Sequence, residues 1–427
     1  MEIDTNNESM DELMDNEDEE DGDDTENEET PPPNSTPGNF NLLSFENQME
    51  NVELVNPEFS WEEAIDPDGD SVTYSLFFGE GHETPSTLLT ENLTETSFLY
   101  ETTLPRNTIY SWQVIASDSE GLATSSEVHS FTTRGLILSQ LTSDAEFDGR
   151  EAHSSVYFDN RIWIIGGVDQ FELANDVWTS ENGINWTKET NNADFTSRGN
   201  HASVVFKDRM WIVGGIDNFG NPLNDVWSSI DGVNWTQENL SASFEERYNH
   251  TLTVFNNKMW LIGGQDNLFE FKDIWSTEDG INWVMETDDP GFPSRRSHTT
   301  IVFDDKMFVI GGLNANQGSG FGDLNDVWSS SDGVNWEIET VDADFSPRWG
   351  HSSIVYDGSI WIISGHRKSD IWSSKDGINW IDEIYLVPSD EIFRSRSSHT
   401  SVQYNNQILI IGGNTSGRNS EIWAIQP

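Results

Sequence analysis

The sequence predicts an all-β chain: a six-bladed β-propeller over residues 135–427, a β-sandwich over 41–134, and a disordered acidic tail with a Pro-rich linker over 1–40. Three observations carry that reading. Between Arg150 and Gly413 one pattern occurs six times: Arg-x-x-His, then two apolar runs about a turn. His153, His201, His250, His298, His351 and His399 each stand 14 residues before Gly167, Gly215, Gly264, Gly312, Gly365 and Gly413. A period of about 50 residues with four short strand signals per unit marks a propeller, in which each sheet buries its faces only against its neighbours. Ahead of the repeats come short runs of alternating polarity, and ahead of those residues 1–30 hold 16 Asp or Glu and no Lys or Arg.

A segment so polar and self-repelling cannot bury enough apolar surface to offset its ordering entropy, so the tail is expected to stay solvated. Pro31, Pro32, Pro33 and Pro37 stiffen its exit. Acid excess continues along the chain, with 17 acids against 2 bases over 41–134 and a formal net charge of −55 for all 427 residues. Nucleic acid and an anionic membrane surface both need clustered Lys and Arg, so neither is an expected partner. The chain has no cysteine, which removes disulfides, thiolate metal sites and cysteine nucleophiles together. No stretch approaches the 18 apolar residues of a membrane span. No signal peptide is visible, but the acidic tail is similar to the segment next to the lipid-modified residue of bacterial surface lipoproteins. The expectation is an extracellular or bacterial cell-surface protein, with a lipid anchor at a processed N-terminus as one means of attachment. A cytoplasmic chain with an acidic tail is the alternative.

Residues 41–134 come next. Val72–Phe78 and Tyr110–Ala116 alternate in polarity as strands do, and Phe131-Thr132-Thr133 closes the segment. The order Trp61, Asp66-Pro67-Asp68-Gly69-Asp70, Tyr74, then Tyr110-x-Trp112-x-Val114-x-Ala116 resembles a fibronectin type III domain. That resemblance implies a spacer or adhesion module of an exported protein. Asp66, Asp68 and Asp70 alternate so that their oxygens can converge on one hard cation, and a fibronectin-like fold would bring Asp118 to the same end. Two readings stand for this cluster: a calcium site, or a polar turn set by Pro and Gly.

Within a repeat, residues 153–190 serve as the pattern. His153–Phe158 and Arg161–Ile165 are strands joined by Asp159-Asn160, a pair that tolerates the positive φ of a tight primed hairpin. Asp176-Val177-Trp178 and Asn185-Trp186-Thr187 mark the third and fourth strands, joined through Asn182-Gly183, which later repeats replace by Asp-Gly. Fifteen of the 18 tryptophans fall in three columns of this repeat, on its second, third and fourth strands. Recurrence in repeat after repeat assigns them to the gaps between blades, where each ring buries roughly 150–250 Å².

Arg-x-x-His, the apolar strand, the terminal Gly and the downstream Trp over residues 135–427 resemble the kelch-type propeller. The hairpin Ser229-x-Asp231-Gly232-x-x-Trp235 also looks like a shortened Asp-box of sialidase-like propellers. The sixth unit ends at Ile422–Ile425 without a fourth strand, while Leu136–Leu141 stands unpartnered before the first. Pairing the two would close the ring and leave no open edge.

Strand direction alternates, so the Arg-x-x-His turns and the loops after each second strand share one rim. All length variation lies there: from the terminal Gly to the third-strand Trp the intervals are 11, 12, 11, 16, 7 and 10 residues, against a constant 8 between the two hairpin tryptophans. Variable loops on a rigid ring are where recognition is usually placed. The candidate ligand-binding residues are Tyr248, Arg296 and Trp349, directly after repeated Args, and Phe171, Phe219, Phe269, Phe321, His366 and Arg367 in the loops. Such a face suits a glycan or an extracellular protein segment. The repeated Arg and His are expected to be scaffold. A galactose-oxidizing propeller needs a cysteine-linked tyrosine, which this chain lacks. The alternative function is a glycan hydrolase or lyase using rim carboxylates such as Asp169, Asp217 and Asp266. The first expectation is binding without catalysis and without a cofactor, calcium aside.

Overall fold

The computed structural model describes residues 33–315, 322–383, 385–386 and 393–426; the acidic run 1–30 and Phe321 lie outside the described residues. Two compact units emerge, a smaller one built on residues 58–100 and 110–130 and a larger one built on 131–427, with 49–57 and 101–109 sorting with the larger.

In the smaller unit Thr73–Glu80 pairs antiparallel with Ile109–Ser117 on one side and with Leu88–Leu93 on the other, while Glu58–Ser60 pairs with Ser97–Leu99 in a second small sheet. Alternation decides which side chains go in. Tyr74, Leu76 and Phe78 of one strand and Tyr110, Trp112, Val114 and Ala116 of the other are all buried. Phe59 from the second sheet meets the Trp112 ring edge-on at 5.1 Å, and Trp61 leans on Tyr74 at 5.5 Å. Asp66 is buried, and its Oδ1 accepts the amides of Asp68 (2.9 Å) and Asp70 (3.3 Å). Asp118 caps its own turn, taking the amides of Glu120 and Leu122 on Oδ1 and the Asn34 amide nitrogen on Oδ2. Asp68 accepts from the Ser35 amide and Asp70 from the Ser119 hydroxyl, so the two loops do meet. Among the described residues, however, no group of three or more His, Cys, Asp or Glu is placed to hold a metal ion.

Among the described residues the larger unit holds six sheets. In the first, Ser154–Phe158, Arg161–Val168, Leu173–Ser180 and Thr187–Thr190 follow in antiparallel order. Each first hairpin turns through residues with positive φ, 48° and 59° at Asp159 and Asn160, and paired residues at the other five turns do the same. In the last sheet the fourth strand comes from the opposite end of the repeats: Leu136–Thr142 pairs antiparallel with Ile422–Gln426, Leu138 opposite Ile425. Tyr385–Leu386 adds a short parallel strand outside it. The first strands of successive sheets lie side by side, and Thr400–Tyr404 lies beside Ser154–Phe158, so the order returns to its start.

Six apolar clusters fill the six gaps between adjacent sheets. The one holding Trp163 and Ile165 of the first sheet also holds Trp227 and Trp235 of the second. The Asp-Gly hairpin matters here: a Cβ on Gly232 would come within 2.1 Å of the Trp163 ring, and the backbone there has φ 72°. Only glycine lets the hairpin lie flat on that indole. The same logic accounts for the fixed interval of 14 residues, because a Cβ on Gly167 would stand 2.6 Å from the His153 Cβ.

Every repeated Arg is fully buried, with 0% exposure. Arg198 donates from both Nη atoms to Asp225 (2.7 and 2.8 Å) and from Nη1 to the Gly214 carbonyl (2.8 Å), while Trp227 Nε1 donates to the same carboxylate at 2.7 Å. Asp176, Asp273, Asp326 and Asp370 do the same for Arg150, Arg247, Arg295 and Arg348, and Glu421 partners Arg396. A phenylalanine three residues before each Arg, such as Phe195, lies under the guanidinium. The charge is thus desolvated but paired with a carboxylate in every repeat, which makes loss of either partner costly.

Candidate functional site

Two residues after each repeated Arg the backbone turns left-handed. Ala152, Asn200, Asn249, Ser297, Gly350 and Ser398 have φ between 50° and 61°. Their amides then hydrogen-bond head to tail: Asn200 to the Ala152 carbonyl, Asn249 to Asn200, Ser297 to Asn249, Gly350 to Ser297, Ser398 to Gly350, and Ala152 back to Ser398, at 2.8–2.9 Å. This closed belt of six bonds circles the axis and pins the residue before it in each sheet. That preceding residue is bonded to the end of the second strand or the residues just after it, as in the pairs Glu151 with Val168, Tyr248 with Gln265 and Arg296 with Leu313. A rigid collar therefore displays Glu151, Gly199, Tyr248, Arg296, Trp349 and Ser397, six different residues at one repeated position.

Beneath the collar the six His line a small axial cavity of about 120 Å³. Each is buried, and five of them bond through Nε2 to a hydroxyl one sheet away: His153 to Thr400, His201 to Ser154, His298 to Thr251, His351 to Thr299 and His399 to Ser352. His250 is the exception. The position that should face it is Ala202, and its Nε2 has no partner among the described residues. Burial first, and the adjoining Arg second, push His153, His250 and His351 down to about 3. Neutral imidazoles locked to hydroxyls are framework.

Above the collar a cavity of about 370 Å³ is walled by Glu151, Arg296, Leu313, Trp349 and Arg418. Trp349 also walls two side cavities, one of about 250 Å³ with His366, Arg367 and Asn414, and one of about 280 Å³ with Asp323, Arg367 and Lys368. The Trp349 indole stacks on His366 at 4.4 Å and 14°. Arg418 Nε lies 2.9 Å from Glu151 Oε1, and Arg296 Nε lies 2.9 Å from Glu270 Oε1. Burial pushes the Asp323 carboxyl up, against the pull of His366, Lys368 and Arg367, and its Oδ1 has no partner among the described residues. Here the rim has cationic and anionic groups around one aromatic stack.

Of the residues singled out from sequence, Arg296, Trp349, His366 and Arg367 come together at these cavities. Tyr248 is half-buried beside Arg296; burial raises its phenol while Arg296 opposes. Phe171, Phe219 and Phe269 stand apart on exposed loop tips. Glu151, Arg418 and Asp323 escaped the sequence reading. Glu151 shares its repeat position with Tyr248, Arg296 and Trp349, and that column alone could have found it. Asp169, Asp217 and Asp266 each accept amides of their own loop. Burial pushes Asp217 up, but donations from Asn221, Phe219 and Gly220 overrule it and hold the carboxyl below its ordinary value, the opposite of what a general acid requires.

Sheets repeated about an axis, with identical buried faces and an individual rim, define a β-propeller. The chain belongs to the kelch-repeat family: the model of the KLHDC2/KLHL20/DRC7 Kelch-repeats domain matches residues 107–279 and 230–413. No curated protein is similar enough to the chain to match it. Among the described residues no helix is long and apolar enough to cross a membrane.

Proposed function

We propose that the chain is an extracellular or cell-surface recognition protein in which a six-bladed kelch propeller binds a polypeptide through the rim around Trp349, without chemistry on it, behind a fibronectin type III-like spacer. Kelch-repeat membership suggests protein–protein interaction. The observation that carries the reading is the contrast within one repeat. Arg and His recur in all six sheets and are buried, every Arg and five of the six His held by internal bonds, whereas the residue directly after the Arg varies and, at Glu151, Arg296 and Trp349, faces one cavity. Export is supported by the acidic tail and the fibronectin-like order of residues 61–116. A glycan is the second reading, favoured by an aromatic stack beside the unpartnered Asp323 oxygen, where a ring could lie on Trp349 and donate a hydroxyl.

The test is selection of a displayed random-peptide library, and probing of a glycan array, with the full chain and with Trp349→Ala. Peptides enriched by the parent and lost with the variant are expected. Equal enrichment by both would remove Trp349 from recognition, and sugar-only binding lost with the variant would transfer the site to the second reading.

A further inference from the structure

Away from the Trp349 cavities, three consecutive rim loops each lift a phenylalanine into solvent. Phe171 is 86% exposed, Phe219 88% and Phe269 66%, with Leu268 beside it at 81%. Scattered apolar residues are normal on a surface, but the same device on three neighbouring loops is not scatter. The tips are rigid. Asp169 Oδ1 accepts the amides of Phe171 (2.7 Å) and Glu172 (2.9 Å), Asp217 Oδ1 those of Phe219 and Asn221 (both 2.8 Å), and Asp266 Oδ1 those of Leu268 and Phe269 (both 2.6 Å). The loops are also laced together. Asn218 Oδ1 accepts the Leu173 amide at 2.9 Å, and Asn267 Nδ2 donates to the Gly220 carbonyl at 2.9 Å. Rings held in advance lose little freedom on binding, so the arc is preorganised.

The unpaired charge around the rings has one sign. Asp169, Glu172, Asp217 and Asp266 make no ion pair among the described residues, and the nearby cations are engaged: Arg418 by Glu151 and, through Nη1, by the Asp169 carbonyl, Arg296 by Glu270, and Lys272 by Asp289. Exposed aromatic faces interleaved with unpaired carboxylates attract cationic side chains by quadrupole and by charge. The same field repels nucleic acid and anionic membranes.

We propose that the Phe171–Phe219–Phe269 arc docks a basic polypeptide segment, its Lys or Arg side chains set between the rings and the carboxylates. This deepens the rim-recognition reading above and rests on it for the partner class, but on different residues. The test measures fluorescence anisotropy of a labelled dodecapeptide of Arg-Gly-Ser repeats, with a Glu-Gly-Ser repeat as counterpart, against the full chain. Phe171→Ala/Phe219→Ala/Phe269→Ala should bind the Arg peptide at least about tenfold more weakly, as expected for loss of a hot-spot cluster. Ile184→Ala/Ile230→Ala/Ile378→Ala, which trims exposed apolar residues of the opposite hairpin rim, should stay within about twofold of the parent, as should Trp349→Ala. Parent-like binding by the phenylalanine variant would overturn the arc. So would equal affinity for the Glu peptide, or no binding of the Arg peptide by the parent. Loss with Trp349→Ala alone would refute the arc while keeping the rim, and indifference to both sets of substitutions would refute the two readings together.

Discussion

Acidification from pH 7.5 to 5.5 should bring the propeller close to unfolding, because six buried imidazoles have to remain neutral in the folded state. All six repeated His are only 4–6% exposed. Burial and the neighbouring Arg hold His153, His250 and His351 at about 3 and the other three well below the ordinary value. In the unfolded chain the same groups titrate near 6.5. Between those limits the unfolded state takes up protons that the folded state refuses, so this stabilisation is whole above about pH 6.5 and drains as the pH falls. One pH unit below the unfolded value each His has cost about 1.4 kcal/mol, and six together about 8 kcal/mol. Against a typical domain stability of about 5–15 kcal/mol that is most of the reserve. The carboxylates act in a separate window. Burial pushes Asp176 and Asp370 up, but their Arg partners overrule it and hold both below the ordinary value, so their stabilisation is lost only at more acidic pH, below about 4. Denaturant unfolding followed by tryptophan fluorescence at pH 7.5, 6.5, 5.5 and 4.5 separates the two windows. His351→Gln should lower stability at pH 7.5 yet reduce the slope below pH 6.5 by about one sixth. Unchanged stability between pH 7.5 and 5.5, or a loss that begins only below 4.5, would refute the argument.

Two more outcomes come from the repeat. Ala202→Ser supplies the hydroxyl that five other His already have and should stabilise the chain by about 0.5–1.5 kcal/mol, read as a rise in melting temperature; no rise would mean that His250 Nε2 does not point at that gap. Asp225→Asn leaves Arg198 buried with half its partner and Trp227 without its anionic acceptor, so a loss of about 3–5 kcal/mol in denaturant titration is expected, and a loss under about 1 kcal/mol would show the pair to be dispensable.

Much of the architecture could be read directly from the amino-acid order, because each repeat performs the same local task with similar residues. Two-residue turns such as Asp159-Asn160 need positive φ, and the chain places Asn, Asp or Gly in all but one of those positions, Lys207 being the exception. The interval from His to Gly is constant because the two backbones touch, and the tryptophan columns recur because every gap between sheets has one shape. Local rules of that kind act over a few residues and leave their mark on a single sequence. Other features belong to the closed ring. The acid that neutralises each repeated Arg lies 22 to 31 residues further on, on a strand whose register decides the match. The belt of amides through Ala152 and Ser398 exists only once the last sheet lies against the first. Glu151 and Arg418 are separated by 267 residues and become a pair for the same reason. What faces the Trp349 cavity was decided by closure and not by periodicity: a repeat dictates that six positions are equivalent, and only the third dimension decides which of them share a space.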